Sequence, residues 1–309
     1  MAQELIRILL YFDVFSYPLT RRELLIYSGL GGNEAVSASR TIDLLAGQGI
    51  IRWYGGFYFI NRDRSVVRRR IKGNLLAEKR MRAASRYGRI ISMFPFVRGV
   101  FLSGSISKGF MSESDDIDYF IITAPGRLWL TRTLLILFKK IFLFNSFKNF
   151  CLNYFVDSDH LYISEQNRYT ATEIVFLVPV HNGRLYREIL ETNEWVKSYY
   201  PVFSRNGTAA NDRIPFVRRL AERIFDILPA GRIDDILYRT SIAYIRRKYG
   251  YLDDASFGGR FTLLKHELKY FPNQQQFRIM EEFSRRIKGF SEDYSTMLTA
   301  ADSVTEPAL

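Results

Sequence analysis

Residues 101–123, FLSGSISKGFMSESDDIDYFIIT, constrain the fold more than any other part of the chain. An apolar run ends on Gly104-Ser105, a polar loop follows, and a second apolar run opens on Asp116-Ile117-Asp118. Both runs have strand length and strand composition. Residues i and i+2 of a strand point to one face, so Asp116 and Asp118 stand side by side while Ile117 points to the other face. Two carboxylates this close repel unless a cation lies between them. Their hard oxygens suit Mg²⁺, which keeps some waters and shares substrate phosphate oxygens. Gly104 removes a side chain where a phosphate must approach the backbone, Ser105 and Ser107 add hydroxyl donors, and Lys108 adds positive charge. Asp115 is expected to be a solvated turn residue.

The flanking sequence predicts an α/β (α+β) chain of several domains, as 309 residues allow. Apolar positions Leu5, Ile6, Leu9, Leu10 and Phe12 predict a helix over 3–15. Thr20 with Glu23 forms a capping-box pattern for a second helix. Asn33 is the expected cap of a third over 34–48, with Val36, Ile42, Leu44 and Leu45 inward. Two β-rich runs around Gly55-Gly56 then read as a hairpin. Three helices and a hairpin resemble a winged helix-turn-helix domain over residues 1–64. A connector helix covers 65–93. Strands at 97–105, running into the glycine turn, 116–123 and 150–156 and a helix at 128–144 build a core over 94–200. Thr170 and Glu173 suggest a capped helix over 170–178. The region 201–309 reads as helical, with helices at 214–228, 232–249, 259–270 and 273–289 and a linker over 203–212.

Charge narrows the partners. The chain carries a net +12, of which +8 falls within residues 65–92, while residues 93–212 are neutral. The connector helix is therefore the candidate contact for nucleic acid. Arg68, Arg69, Arg70, Lys79, Arg80 and Arg82 span several turns and do not all share one face. The expected DNA-reading helix has only Arg40 against Glu34 and Asp43, which opposes a role in groove binding. One cysteine, Cys151, excludes a disulfide framework and a cysteine zinc site. His160, His181 and His266 are too far apart in sequence for a local metal pattern. Glu4, Arg7 and Asp13 interrupt the apolar start, and no uncharged run reaches the ~18–20 residues of a membrane span. These features lead to the expectation of a soluble, cytoplasmic protein.

The 101–123 stretch resembles the signature of the DNA-polymerase-β-like nucleotidyltransferase superfamily. The match is Ser103-Gly104-Ser105, a ten-residue spacer, and Asp116-Ile117-Asp118-Tyr119, with Ser107-Lys108-Gly109 resembling the family's small–basic–glycine turn. Ser103 departs from the apolar residue usual before the glycine. The resemblance implies a Mg²⁺-dependent enzyme that moves a nucleoside monophosphate from an NTP to an acceptor hydroxyl and releases pyrophosphate. It implies that Gly104, Ser105, Ser107 and Lys108 bind the nucleotide and that Asp116 and Asp118 hold metal. The family's third carboxylate comes from a later strand, here CLNYFVD. Asn153 stands mid-strand and Asp157 at the strand end. Either Asp157 is catalytic with the pair, or the third acid is missing. In the second case the chain is a nucleic-acid-binding regulator or an assembly protein with a degenerate core.

Overall fold

Hydrophobic periodicity and glycine placement account for most of the elements. A computed structural model describes residues 1–61, 63–145, 148–203, 216–227 and 230–293. The chain divides into two compact units. The first holds the described residues of Met1–Lys72, Lys197–Ser204 and Gln276–Leu309; the second holds those of Gly73–Val196 and Arg205–Gln275. This division cuts across the four segments expected from sequence, because the C-terminal region contributes to both units. The expected linker, apart from Phe203, and the last dozen residues lie outside the described residues.

In the first unit the order is α1 (Ala2–Asp13), β1 (Leu19–Thr20), α2 (Arg21–Tyr27), α3 (Ala35–Gly47), β2 (Arg52–Tyr54) and β3 (Phe57–Phe59). The expected stripe of α1 is buried. The capping box of α2 forms: Glu23 N–H donates to Thr20 Oγ1, and Thr20 N–H donates to Glu23. Asn33 does not cap α3. It sits inside a 3₁₀ turn, Gly32–Glu34, that leads into the helix. Val36 and Leu44 are exposed, and Ala38, Ile42 and Leu45 form the inward face instead. The three strands form an antiparallel sheet in the order β1-β3-β2. Gly55 and Gly56 both take positive φ, 58° and 85°, as a tight hairpin turn requires.

Helix α4 (Ser65–Ser92) contains the division between the units. The second unit continues with β4 (Val97–Ser103), α5 (Gly104–Ser107), β5 (Asp118–Thr123), α6 (Leu128–Phe142), β6 (Cys151–Asp157), α7 (Arg168–Val175), β7 (Val178–His181) and α8 (Gly183–Thr192). It ends with α9 (Phe216–Ile227), α10 (Ala230–Lys248), α11 (Asp254–Gly258), β8 (Phe261–Leu263) and β9 (Glu267–Tyr270). Its mixed sheet runs β7-β4-β5-β6-β9-β8, with β4–β5 antiparallel and β5–β6 parallel. Trp129, Phe101, Tyr119 and Phe155 are fully buried around it. Helix α4 packs its small residues here. A Cβ on Gly73 would strike the Phe110 ring at 2.2 Å, and one on Gly88 would strike Val180 at 2.7 Å.

Two expected helices in this unit are corrected. Residues 259–270 form the β8–β9 hairpin, because Phe261/Leu263 and Leu268/Tyr270 recur with period two and Gly258-Gly259 ends α11. Strand β9 then extends the sheet along β6. Helix α7 starts at Arg168, capped by Asn167, which accepts the Thr170 N–H at 2.9 Å; Thr170 is not the cap. Helix α12 (Gln275–Asp293) closes the chain's described part. In the first unit its Phe283 meets Tyr11 edge-on at 5.3 Å, and its Arg286 pairs with Asp13.

Candidate active site

The register of β4 and β5 brings the glycine turn onto the acidic pair. Ser103 pairs with Asp118, so the chain leaves β4 beside the first residue of β5. Gly104 follows with φ 65°, and a Cβ there would lie 2.4 Å from Asp118 Oδ2. A side chain at 104 would therefore be strained in backbone and blocked by the carboxylate. Asp116 and Asp118 are both half-buried at the mouth of this turn. Asp116 has no hydrogen-bond or ion-pair partner among the described residues. The Asp118 carboxyl is pushed up to about 7, first by burial, then by repulsion from Glu173 and Asp116. Nearby Cys151 and Lys108 pull it the other way. Burial and Asp118 push the Cys151 thiol well up, so it is no nucleophile at neutral pH.

The loop after Gly104 is braced from inside. Asp115 is not a free turn residue: it accepts from Ser105 Oγ at 2.9 Å, from the Ser112 N–H at 2.9 Å and from Ser112 Oγ. Arg80 of α4 donates to the Asp115 carbonyl at 2.7 Å. Ser107 is buried, and its hydroxyl donates to the Gly104 carbonyl at 2.8 Å. Its hydroxyl proton is thus used within the loop. Lys108 Nζ donates to the Gly104 carbonyl at 3.0 Å and to Glu173 Oε1 at 2.8 Å.

Glu173 is the residue that sequence reading missed. It was expected to cap a helix. Instead it reaches from α7 and accepts the Gly104 N–H on Oε2 at 3.2 Å. Its carboxylate thus touches two groups assigned to phosphate, the Gly104 amide and the Lys108 ammonium. Only the competing Asn167-to-Thr170 cap signal in the sequence could have freed Glu173 for this reading.

Asp157 is not brought to the pair. Asp118 pairs with Cys151 at one end of the parallel β5–β6 ladder, and Thr123 pairs with Asp157 at the other. Five residues of strand separate the two ends, on the order of 16 Å. There Asp157 is buried, lies 2.6 Å from His160 Nδ1 and accepts the Asp159 N–H. His160 stacks on His266 at 4.0 Å, so the fold joins two histidines distant in sequence. At the acidic end Asn153 donates its amide to Asp118 Oδ1 at 2.9 Å, in the position expected for a third acid.

Among the described residues no group of three or more His, Cys, Asp or Glu side chains is arranged to hold a metal. Two hard carboxylates remain, one unpartnered and one with a raised proton affinity that a cation would lower. That donor set fits Mg²⁺ completed by water and phosphate oxygens. No helix among the described residues is long and apolar enough to cross a membrane. A separate open cleft of about 870 Å³ lies in the first unit, lined by Arg21, Arg52, Trp53, Tyr58 and Arg64 among others. Asp43 neutralises Arg21 there. No family model, curated protein or solved structure matches the chain.

Proposed function

We propose that this protein is a Mg²⁺-dependent nucleotidyltransferase that moves a nucleoside monophosphate from an NTP to an acceptor hydroxyl. One observation carries the reading: Gly104, at positive φ, abuts the carboxylate of Asp118 at the start of β5, two residues after Asp116, which lies just before the strand and has no hydrogen-bond or ion-pair partner among the described residues. Phosphates approaching the Gly104 backbone would meet the acidic pair directly. Asp116 and Asp118 would hold Mg²⁺, which supplies charge neutralisation for the attacking and leaving oxygens. The Gly104 amide and Lys108 hold the terminal phosphates after displacing Glu173. The acceptor oxygen bonds to the α-phosphorus, the bond to the β-phosphate bridging oxygen breaks, pyrophosphate leaves, and the hydroxyl proton is lost to water. Asp115 and Arg80 keep the loop in place throughout.

The test is Mg²⁺-dependent NTP binding and pyrophosphate release with the full chain. The Asp116→Asn variant should lose both; retention of metal-dependent release would sink the reading. A second reading rests on Asn153, whose neutral amide faces Asp118 where an acid is expected. It takes the chain as a nucleic-acid-binding regulator or assembly protein with a degenerate core. Nucleotide binding with no turnover across acceptor classes favours it.

A further inference from the structure

Helix α4 carries nine Lys/Arg and one acid, Glu78, within residues 65–92. The fold sorts these cations into two kinds. Arg70 is buried, donates to the Pro18 carbonyl at 2.9 Å and pairs with Glu23 at 2.6 Å, so it is structural in the first unit. In the second unit Arg80 is structural too, tied to the Asp115 and Lys148 carbonyls. What remains there is a row: Lys79, Arg82, Arg86 and Arg89, all exposed. Their steps of three, four and three residues put them on one helix face. The row spans about 15 Å along the axis. Gly73, Ala77, Ala84, Gly88 and Ile91 form the opposite, packed face, which turns the row to solvent.

None of the four makes an ion pair or side-chain hydrogen bond among the described residues; the same holds for exposed Arg187 on α8 and Arg232, Arg239 and Arg247 on α10, so what carries the argument is the placement of the four on consecutive turns of one face. Arg184 pairs with Glu188 on α8, and Arg285 and Arg286 pair with Glu282 on α12. On α4 the one acid, Glu78, lies beside the row and pairs with none of it. Within residues 79–89 no large apolar side chain is exposed, while Leu75, one turn before Lys79 on the same face, and Met93 just past the helix end are exposed, so a membrane surface is kept as an outcome of the test below.

We infer that the Lys79–Arg82–Arg86–Arg89 edge docks the sugar–phosphate backbone of a nucleic acid. Four unpaired cations in a line complement a row of phosphates, and their side chains need break no internal pair to reach it. The inference does not depend on the transferase reading.

The experiment is fluorescence anisotropy of the full chain with a labelled 20-nucleotide RNA and a labelled 20-base-pair DNA across a salt series. Four neutralised phosphates give a log–log salt slope of about −3.6 on duplex DNA, so raising salt from 50 to 200 mM weakens binding about 150-fold. The variant Lys79→Gln, Arg82→Gln, Arg86→Gln, Arg89→Gln should flatten the slope by about that amount and lose most of the affinity at 50 mM salt. A control, Arg187→Gln, Arg232→Gln, Arg239→Gln, Arg247→Gln, removes the same net charge from other exposed positions. It should keep most of the slope, and a thermal melt should show both variants folded. Equal loss in the control overturns the inference, because net charge alone then explains binding. No wild-type binding to either probe also overturns it, as does binding only to vesicles of phosphatidylserine and phosphatidylcholine.

Discussion

The two ends of the β5–β6 strand pair carry acids in opposite states. At the Asp118 end stand two half-buried carboxylates, one without a hydrogen-bond or ion-pair partner among the described residues and one pushed up to about 7. At the Asp157 end a single buried carboxylate is satisfied by His160 and the Asp159 amide. At one end of the ladder an acid sits beside a second carboxylate and is raised by burial, while at the other it is hydrogen-bonded to a histidine ring and a backbone amide. What an acid can do is set by what already occupies its lone pairs. The first end has capacity left for a cation, and the second has its demand met internally.

The largest expected effect separates the ends outright. Asp118→Asn and Asp116→Asn should each cut NTP turnover by more than the roughly 10–100-fold typical of changes around a metal's outer shell. Asp157→Ala should leave kcat unchanged and cost about 1–3 kcal/mol of stability in chemical denaturation, since it strips a partner from buried polar groups. A loss of turnover in a folded Asp157→Ala protein would merge the two ends and restore Asp157 as a catalytic acid.

A third acid sharpens the contrast. Asp234 of α10 is buried, and its Oδ1 accepts the Leu130 N–H at 2.7 Å, while its Oδ2 has no partner among the described residues. Burial pushes its carboxyl up to about 6. The folded state therefore holds this proton more tightly than the unfolded chain, so stability falls as pH rises from about 4 through about 6. Asp234→Asn should remove that slope and stabilise the protein at pH 8 by on the order of 1–2 kcal/mol. Denaturant midpoints at pH 5 and pH 8 measure it; an unchanged slope would mean that Asp234 is solvated.

The smallest effect concerns Glu173. A part-exposed ion pair is worth up to ~1 kcal/mol, so Glu173→Gln should tighten Mg·NTP binding by no more than about fivefold. Weaker binding in that variant would instead make Glu173 a positive contributor to the site.

Much of this was legible in the sequence because it depends on local spacing. Thr20 and Glu23 cap α2, Gly55-Gly56 turn the hairpin, and the strand–turn–strand around Gly104 and Asp118 lies where residues 101–123 put it. The rest depends on which distant residues meet. Asp157 sits only four residues beyond Asn153, yet strand direction carries it to the far end of the ladder. Glu173 is 69 residues from Gly104, and no spacing rule links them. Ser107 and Asp115 look like polar loop residues until the loop closes on itself. From the sequence, Arg68, Arg69, Arg70, Lys79, Arg80 and Arg82 of the basic helix do not all share one face. Burial of Arg70 and the tethering of Arg80 leave an aligned row that the sequence alone does not separate.

The most direct measurement is calorimetric titration of the full chain with a non-hydrolysable NTP, with and without Mg²⁺, at pH 8. The account predicts saturable, Mg²⁺-dependent binding that Asp118→Asn abolishes and Asp157→Asn leaves intact. Binding that is indifferent to Mg²⁺, or that survives Asp118→Asn unchanged, would contradict it.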